Sequence, residues 1–381
     1  MNSDPTASII NHFLSIPDPR VERRKCHKLK DIFFMTICAS ICGANDWVAV
    51  EMYAKSKKEW FTKVLQLENG IPSHDTFNNV FKVIDTTLFS QCFSRWMSDI
   101  ATLSSGEVIS IDGKCLRRSM DTASHKAPIY MVSAWASQNQ LVLGQQKVDD
   151  KSNEITAIPK LLDQLDITGA VLTIDAMGCQ TKVVKKIIDQ SGDYMLSLKK
   201  NQGTLHEDVR LFFETQNTCP KMGHESYDGG HGRIEKRTVF ASSDIDWLKS
   251  LHPKWVGLRS IVAVTATRQS NGKTSQKTRY FISNLDATDP KRLGQIVRSH
   301  WGIENNLHWV LDYAFQEDDQ RTRLGNSAAN MSIIRHIALN LIKSDKTAKV
   351  GIKNKRLKAG WDNDYLLQVI LGGTSLVDTK T

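Results

Sequence analysis

The sequence predicts an α/β protein: a mixed five-stranded sheet with a β-rich insertion, preceded by an all-α N-terminal domain. Three observations carry that prediction. Residues 1–105 place apolar side chains at helical spacing. Residues 106–200 alternate short β-rich runs with amphipathic helices in the order β-β-β-α-β-α-β. Between 201 and 285 the helical spacing gives way to β-like runs, and it returns at Asp289-Pro290.

In chain order, Leu29–Ala44 is apolar at helical spacing, Asp46-Trp47 interrupts it, and Val48–Phe61 resumes it. Pro72-Ser73-His74-Asp75 is a turn and helix start with Ser73 as cap, and Thr76–Val83 and Leu88–Leu103 continue the helical pattern. Glu107–Ile111 is a strand ending at Asp112-Gly113. Ile129–Ser137 and Leu141–Val148 are strands joined at Gln138-Asn139-Gln140. Asn153–Leu165 has helical spacing, Ala170–Ile174 is a continuous apolar strand, Gln180–Gln190 is a helix and Tyr194–Leu198 a fifth strand. Three consecutive strands form a meander, and the later two join by helical crossovers. That order is the one a ribonuclease H-like mixed sheet requires.

In the insertion, Gly229-Gly230-His231-Gly232 reads as loop, and Arg233–Ala241, Leu258–Thr267 and Lys277–Leu285 as strands. Asp289-Pro290 combines a capping Asp with Pro in the first turn, and the helix runs to about Ala314 with a break near Trp301-Gly302. Ala328–Ile342 is a further apolar helix. Residues 346–381 read as a basic C-terminal tail, with a short terminal helix over Trp361–Leu371.

The net charge of +9 is unevenly placed. Residues 320–360 hold ten Lys/Arg against one acid, and residues 20–30 hold six against one. Such patches suit a polyanion, and nucleic acid is the first candidate. The longest apolar run, Ile32–Ala44, is too short to span a bilayer, and no secretory signal is visible. Seven cysteines at irregular spacing form no metal or redox motif and fit a reducing cytosol. His224 and His231 lack partners at zinc spacing, and the absence of a phosphate-binding Gly-x-x-x-x-Gly-Lys-Ser/Thr loop excludes a nucleotide cofactor on sequence grounds.

Three acids could do chemistry. Asp112, in Ile111-Asp112-Gly113-Lys114, and Asp175, in Leu172-Thr173-Ile174-Asp175-Ala176, follow candidate central strands. Either residue alone is also ordinary turn or cap chemistry. Together they fall where α/β sheets gather ligands, at the carboxyl ends of strands. Glu304 borders an apolar helix face formed by Ile303, Leu307, Val310, Leu311 and Ala314, with His308 one turn beyond. Three converging carboxylates repel one another unless cations join them. Hard divalent cations, two of them about 4 Å apart, support in-line phosphoryl transfer. The residues therefore point to a metal-dependent nuclease or transferase acting on nucleic-acid phosphodiesters. Lys114, Arg117 and Arg118 after the first acid, and Lys199 and Lys200 after the fifth strand, are candidate phosphate contacts. Trp301 and Trp309 are read as core in preference to base-stacking platforms.

Ile111-Asp112-Gly113-Lys114, Thr173-Ile174-Asp175-Ala176 and His300-Trp301-Gly302-Ile303-Glu304-Asn305 together resemble the three acidic motifs of bacterial insertion-sequence DDE transposases, in the group of the H-repeat-associated transposases. Leu307-His308-Trp309-Val310-Leu311-Asp312, followed by Glu317-Asp318, fits the same group. Asp18-Pro19-Arg20 and Pro72–Phe77 resemble its accompanying helical domain, so the likeness spans essentially the whole chain. The resemblance implies a ribonuclease H-like catalytic domain over 106–345, with a β insertion at about 201–285 and Asp112, Asp175 and Glu304 as catalytic metal ligands. It implies Mg²⁺, with Mn²⁺ as a substitute, and DNA as partner: element ends and target, held by a homodimer. The helical domain, 1–105, is expected to bind the element ends, and the protein to be cytoplasmic and nucleoid-associated when bound to DNA. Related transposases carry Tyr, Arg and Lys around the Glu. Here Val297, His300 and Leu311 stand there, which leaves Arg298, His300 and His308 as candidate DNA contacts. A nuclease that does not transfer strands and a DNA-binding remnant remain open alternatives.

Overall fold

In this computed structural model, residues 11–120, 127–149, 152–215, 222–230, 233–270 and 273–371 are described. Helices α1 (Leu29–Ile41), α2 (Trp47–Ser56), α3 (Lys58–Val64), α4 (His74–Val83) and α5 (Thr86–Ile100) open the chain. Short polar side chains start three of them. Asp46, Ser73 and Asp85 accept backbone N–H bonds from Ala49, Thr76 and Leu88. Helix α1 is buried without interruption from Asp31 to Ile41. A helix covered on every face lies at the centre of a bundle.

The expected strand order follows: β1 (Val108–Leu116), β2 (Ile129–Ala136), β3 (Leu141–Lys147), helix α6 (Glu154–Leu162), β4 (Val171–Ile174), helix α7 (Thr181–Asp189) and β5 (Asp193–Leu198). Strands β1, β2 and β3 form an antiparallel meander. β4 is parallel to β1, and β5 is parallel to β4. One boundary is corrected: β1 does not end at Asp112-Gly113 but continues to Leu116, because β2 pairs with it over that whole length.

The insertion is also corrected. It contains helix α8 (Gly203–Thr215) and then β6 (Met222–Gly230), β7 (Arg233–Ser242), helix α9 (Asp246–Leu251), β8 (Ser260–Ser270) and β9 (Lys273–Ser283). β9 pairs antiparallel with β5, with Leu198 opposite Tyr280. The five-stranded sheet therefore becomes one nine-stranded sheet, ordered β3-β2-β1-β4-β5-β9-β8-β7-β6. Without β9, β5 would leave a row of unpaired backbone groups at an edge. Gly229 and Gly230, expected in a loop, belong to β6, and residues 231 and 232 lie outside the described residues.

The chain closes with α10 (Pro290–Ser299), α11 (Trp301–Ile303), a π-turn over Glu304–His308, α12 (Trp309–Phe315), α13 (Ser327–Ser344), α14 (Ile352–Trp361) and α15 (Asn363–Ile370). The expected break near Trp301-Gly302 is a shallow one, since His300 keeps helical dihedrals. Helices α6, α7 and α8 share one core with the β1–β5 side of the sheet. The N-terminal helices share a second core with α12, α13 and α15. Residues 1–105 are thus not a physically separate unit. Trp47 donates to Ser327 at 2.9 Å, and Asn330 donates to the Phe81 carbonyl at 2.7 Å, both across that junction. Asn340 on α13 also pairs with the Val142 backbone, accepting its N–H at 3.0 Å and donating to its C=O at 2.8 Å. That amide covers part of the exposed edge of β3.

The basic tail is corrected too. Helices α14 and α15 fold back onto the same core. Lys355 and Arg356 are buried there. Lys355 donates to the Ile342 carbonyl at 3.2 Å. Arg356 donates to Ser40 C=O at 2.8 Å and to Ala314 C=O. These carbonyls lie in the last turns of α13, α1 and α12, where helices leave acceptors unpaired. Part of the positive charge that suggested a polyanion is thus used inside the protein. No described helix is long and apolar enough to cross a membrane.

Candidate active site

Strand register brings the first two acids together. Ile111 pairs with Ile174 in the last β1–β4 rung, so Asp112 and Asp175 are the next residues along neighbouring strands about 4.8 Å apart. Side chains alternate along a strand, so Asp112 shares a face with Ser110, and Asp175 shares one with Thr173. Those two hydroxyls mark the face turned to α10–α12. Thr173 Oγ1 donates to Ser110 Oγ at 3.1 Å, and Ser110 Oγ donates to Ser299 C=O at 3.4 Å. Asp175 Oδ1 also accepts the Met177 N–H at 2.9 Å and the Gly178 N–H at 3.3 Å. That fixes the turn after β4.

The π-turn delivers the third acid. Its wider winding carries Glu304 and His308 to the same side, and such turns recur at functional sites. His308 Nδ1 is 3.7 Å from Asp112 and 3.6 Å from Glu304. Ligand atoms of Asp112, Glu304 and His308 lie within 4.8 Å of one another. Asp175 is not in that group. It acts instead on His300 and on Glu154, the first residue of α6.

The electrostatics are those of crowded acids. Burial, reinforced by Glu304 and Glu154, pushes the Asp112 carboxyl up to about 7, against the pull of His308. Glu304 is held below its ordinary value by its hydrogen bond to His308. Burial, then Asp175, raises Glu154. Burial lowers His300, whose Nδ1 lies 3.1 Å from Thr173 Oγ1, while Asp175 pulls it the other way. A divalent cation fits this donor set. Two carboxylates face one another, and His308, only 6% exposed, has an Nε2 without a hydrogen-bond partner among the described residues. Asp112 and Glu304 are the oxygen ligands a hard cation prefers.

The candidate DNA contacts divide. Arg117 and Arg118 form an exposed 3₁₀ turn after β1, and Lys199 and Lys200 are exposed after β5. Arg117 and Arg118 approach Asp318 and Asp319 at 3.4 and 3.1 Å. Lys114 is corrected. Its ammonium is enclosed by Asp312, by Glu317 at 2.9 Å and by Asp318 at 3.5 Å, because a largely buried cation needs paired anions. Arg298 is engaged by Asp228 of β6. His300 and His308 turn inward to Thr173 and the acids, where their rings are covered and cannot reach a phosphate backbone. Trp301 and Trp309, expected in the core, are 51% and 58% exposed. Trp309 stacks on Tyr313 at 4.8 Å, and Arg279 lies over Trp301 at 5.5 Å.

Glu154 is the residue the sequence reading missed. The strand-end rule that selects Asp112 and Asp175 also covers it, because β3 runs parallel in direction to β1 and leads through a loop to α6.

Comparison with known proteins agrees with this geometry. Residues 103–341 match the family model described as "Transposase DDE domain", and residues 10–97 match "DDE_Tnp_1-associated". The chain is 39% identical over 371 residues to "H repeat-associated putative transposase YhhI" of Escherichia coli K12, covering 96% of this chain and 98% of that one. It is 39% identical over 375 residues to "Putative transposase YncI" of Escherichia coli O157:H7, covering 97% of this chain and 96% of that one.

Proposed function

The chain belongs to the DDE transposase family, and from that premise we propose that it cuts DNA at the ends of an insertion sequence and joins the freed 3′ ends to target DNA. The observation that carries this reading is the convergence at one sheet edge. Asp112 and Asp175 sit on adjacent strands, and Glu304 lies within reach of Asp112 on the π-turn. The ribonuclease H-like reading of the catalytic domain rests on the meander followed by two parallel strands.

In this reaction water attacks phosphorus at the element end, the P–O3′ bond breaks, and the 3′ oxygen leaves as a hydroxyl. That hydroxyl then attacks a target phosphorus and displaces a second 3′ oxygen. Divalent cations, Mg²⁺ with Mn²⁺ as a substitute, supply water activation and charge neutralisation when bound. The chain's own work is placement. β1 and β4 hold Asp112 and Asp175 in register, and the π-turn holds Glu304. His308, buried behind Asp112 and Glu304, fixes how those two carboxylates point. Arg117, Arg118, Lys199 and Lys200 are the exposed cations of the same sheet edge and would steer the phosphate backbone. Two element ends must be joined in one event, so the working form is a homodimer on DNA.

The test uses a labelled duplex carrying the inverted repeats that flank the gene. Wild-type protein with Mg²⁺ is expected to give nicked ends and, with target DNA, joined products. Nicks without joining identify a nuclease. Band shifts without nicks identify a DNA-binding remnant, and either result overturns the reading.

A further inference from the structure

A fourth carboxylate reaches the acids from the opposite face of the sheet. Asn153 caps α6, its Oδ1 accepting the Ile155 N–H at 3.1 Å, and places Glu154 in the first turn. The Glu154 carboxylate lies over Gly113. A Cβ added at 113 would stand 2.5 Å from Glu154 Cδ and 3.1 Å from its Cγ. Any side chain at 113 would therefore expel Glu154 from that place. The position is open because the pairing of β1 with β4 stops one residue before Asp112, at Ile111 and Ile174. Glycine at 113 thus makes an opening next to Asp112, and a glutamate from the helix side fills it.

Two further observations separate Glu154 from an ordinary helix-start acid. Among the described residues, no hydrogen bond or ion pair engages its carboxylate, although it is half-buried. Its charge also acts on three members of the site: Asp112, Asp175 and His308. The His308 Nε2, buried and unpartnered among the described residues, shows independently that polar groups here lack a partner. A half-buried, unpaired acid facing two others is costly unless a cation is shared.

We propose that Glu154 is a fourth carboxylate of the metal site, taking a divalent cation on its Asp175 side, and that Gly113 is the residue that admits it. This rests on the function proposed above.

The experiment counts Mn²⁺ bound by the full chain, by calorimetry and by the electron paramagnetic resonance of free Mn²⁺. Its readout does not depend on cleavage. Wild type is expected to bind two Mn²⁺. Glu154→Gln should lose one of them or bind it roughly 10- to 100-fold more weakly, the usual effect of removing a supporting ligand group. Gly113→Ala, which leaves the glutamate intact but displaces it, should do the same. A role confined to the α6 dipole would shift the melting temperature and leave the metal count at two. If both variants bind Mn²⁺ as wild type does while Asp112→Asn loses it, the inference falls and the proposed function stands. If wild type binds no Mn²⁺, both fall.

Discussion

Replacing Asp112 by Asn is expected to abolish cleavage and, at the same time, to stabilise the metal-free protein. The carboxyl of Asp112 stands at about 7, against an ordinary 3.8, chiefly because it is buried and then because Glu304 and Glu154 face it. A carboxyl raised in the folded state contributes fully only below its unfolded value. That contribution is lost as pH rises through the folded value. Ionising Asp112 therefore weakens the fold between about pH 4 and pH 7, and the cost is complete above that. Three units at about 1.4 kcal/mol each set an upper scale on the order of 4 kcal/mol. Asn cannot ionise and escapes the whole of it. In chelator at pH 8 the variant should melt several degrees above wild type, and the gap should close towards pH 4. Mg²⁺ should raise the melting temperature of wild type and leave the variant nearly unchanged. An Asn variant no more stable than wild type at pH 8 would contradict this account of the site.

Lys114→Met should be the most damaging substitution outside the acids. Lys114 lies two residues beyond Asp112 on the same strand face, and Asp312 lies one turn beyond His308. The ion pair therefore ties β1 to the helix that carries Glu304. Beneath it Glu317 is 2% exposed and held at about 2, well below its ordinary 4.5, by Lys114 and then Arg335 and His336, against burial. Ser332 also donates to Glu317 at 3.0 Å. Removing one partner leaves buried acids uncompensated, which typically costs about 3–5 kcal/mol. A depressed carboxyl contributes stability above its unfolded value and loses it as pH falls through the folded one. Wild type should therefore keep this contribution down to about pH 4 and lose it towards pH 2. The Met variant, with Glu317 raised, should begin acid unfolding at a higher pH. Urea unfolding from pH 3 to 8 measures both effects. A loss under 1 kcal/mol at pH 7 would mean that the network is incidental.

Much of this was legible from the residues because periodicity and capping are local. Alternation marked β1–β5, Ser73 and Asp289 announced helix starts, and two acids at strand ends selected the sheet edge. What was hidden depended on tertiary partners. β6 has no apolar face to announce it, yet it pairs with β7 over nine residues, because an edge strand is held by its ladder. Helix α8 buries Leu205, Val209 and Phe212 at helical spacing, but its surroundings read as β. Lys355 and Arg356 looked like surface charge, since nothing local says that three helix ends lack donors until the helices converge. Glu154 stood outside the motif reading because a loop separates it from β3. Only the space above Gly113 shows where it goes.

The central claim is that Asp112, Asp175 and Glu304 act as one metal-dependent site. It is tested most directly by single-turnover cleavage of the labelled element end in Mg²⁺, comparing wild type with Glu304→Gln, the acid whose place depends on the π-turn. The account predicts undiminished DNA binding in a band shift and cleavage slowed by roughly a thousandfold or more, about 4 kcal/mol of lost transition-state stabilisation. Cleavage by Glu304→Gln at the wild-type rate would contradict it.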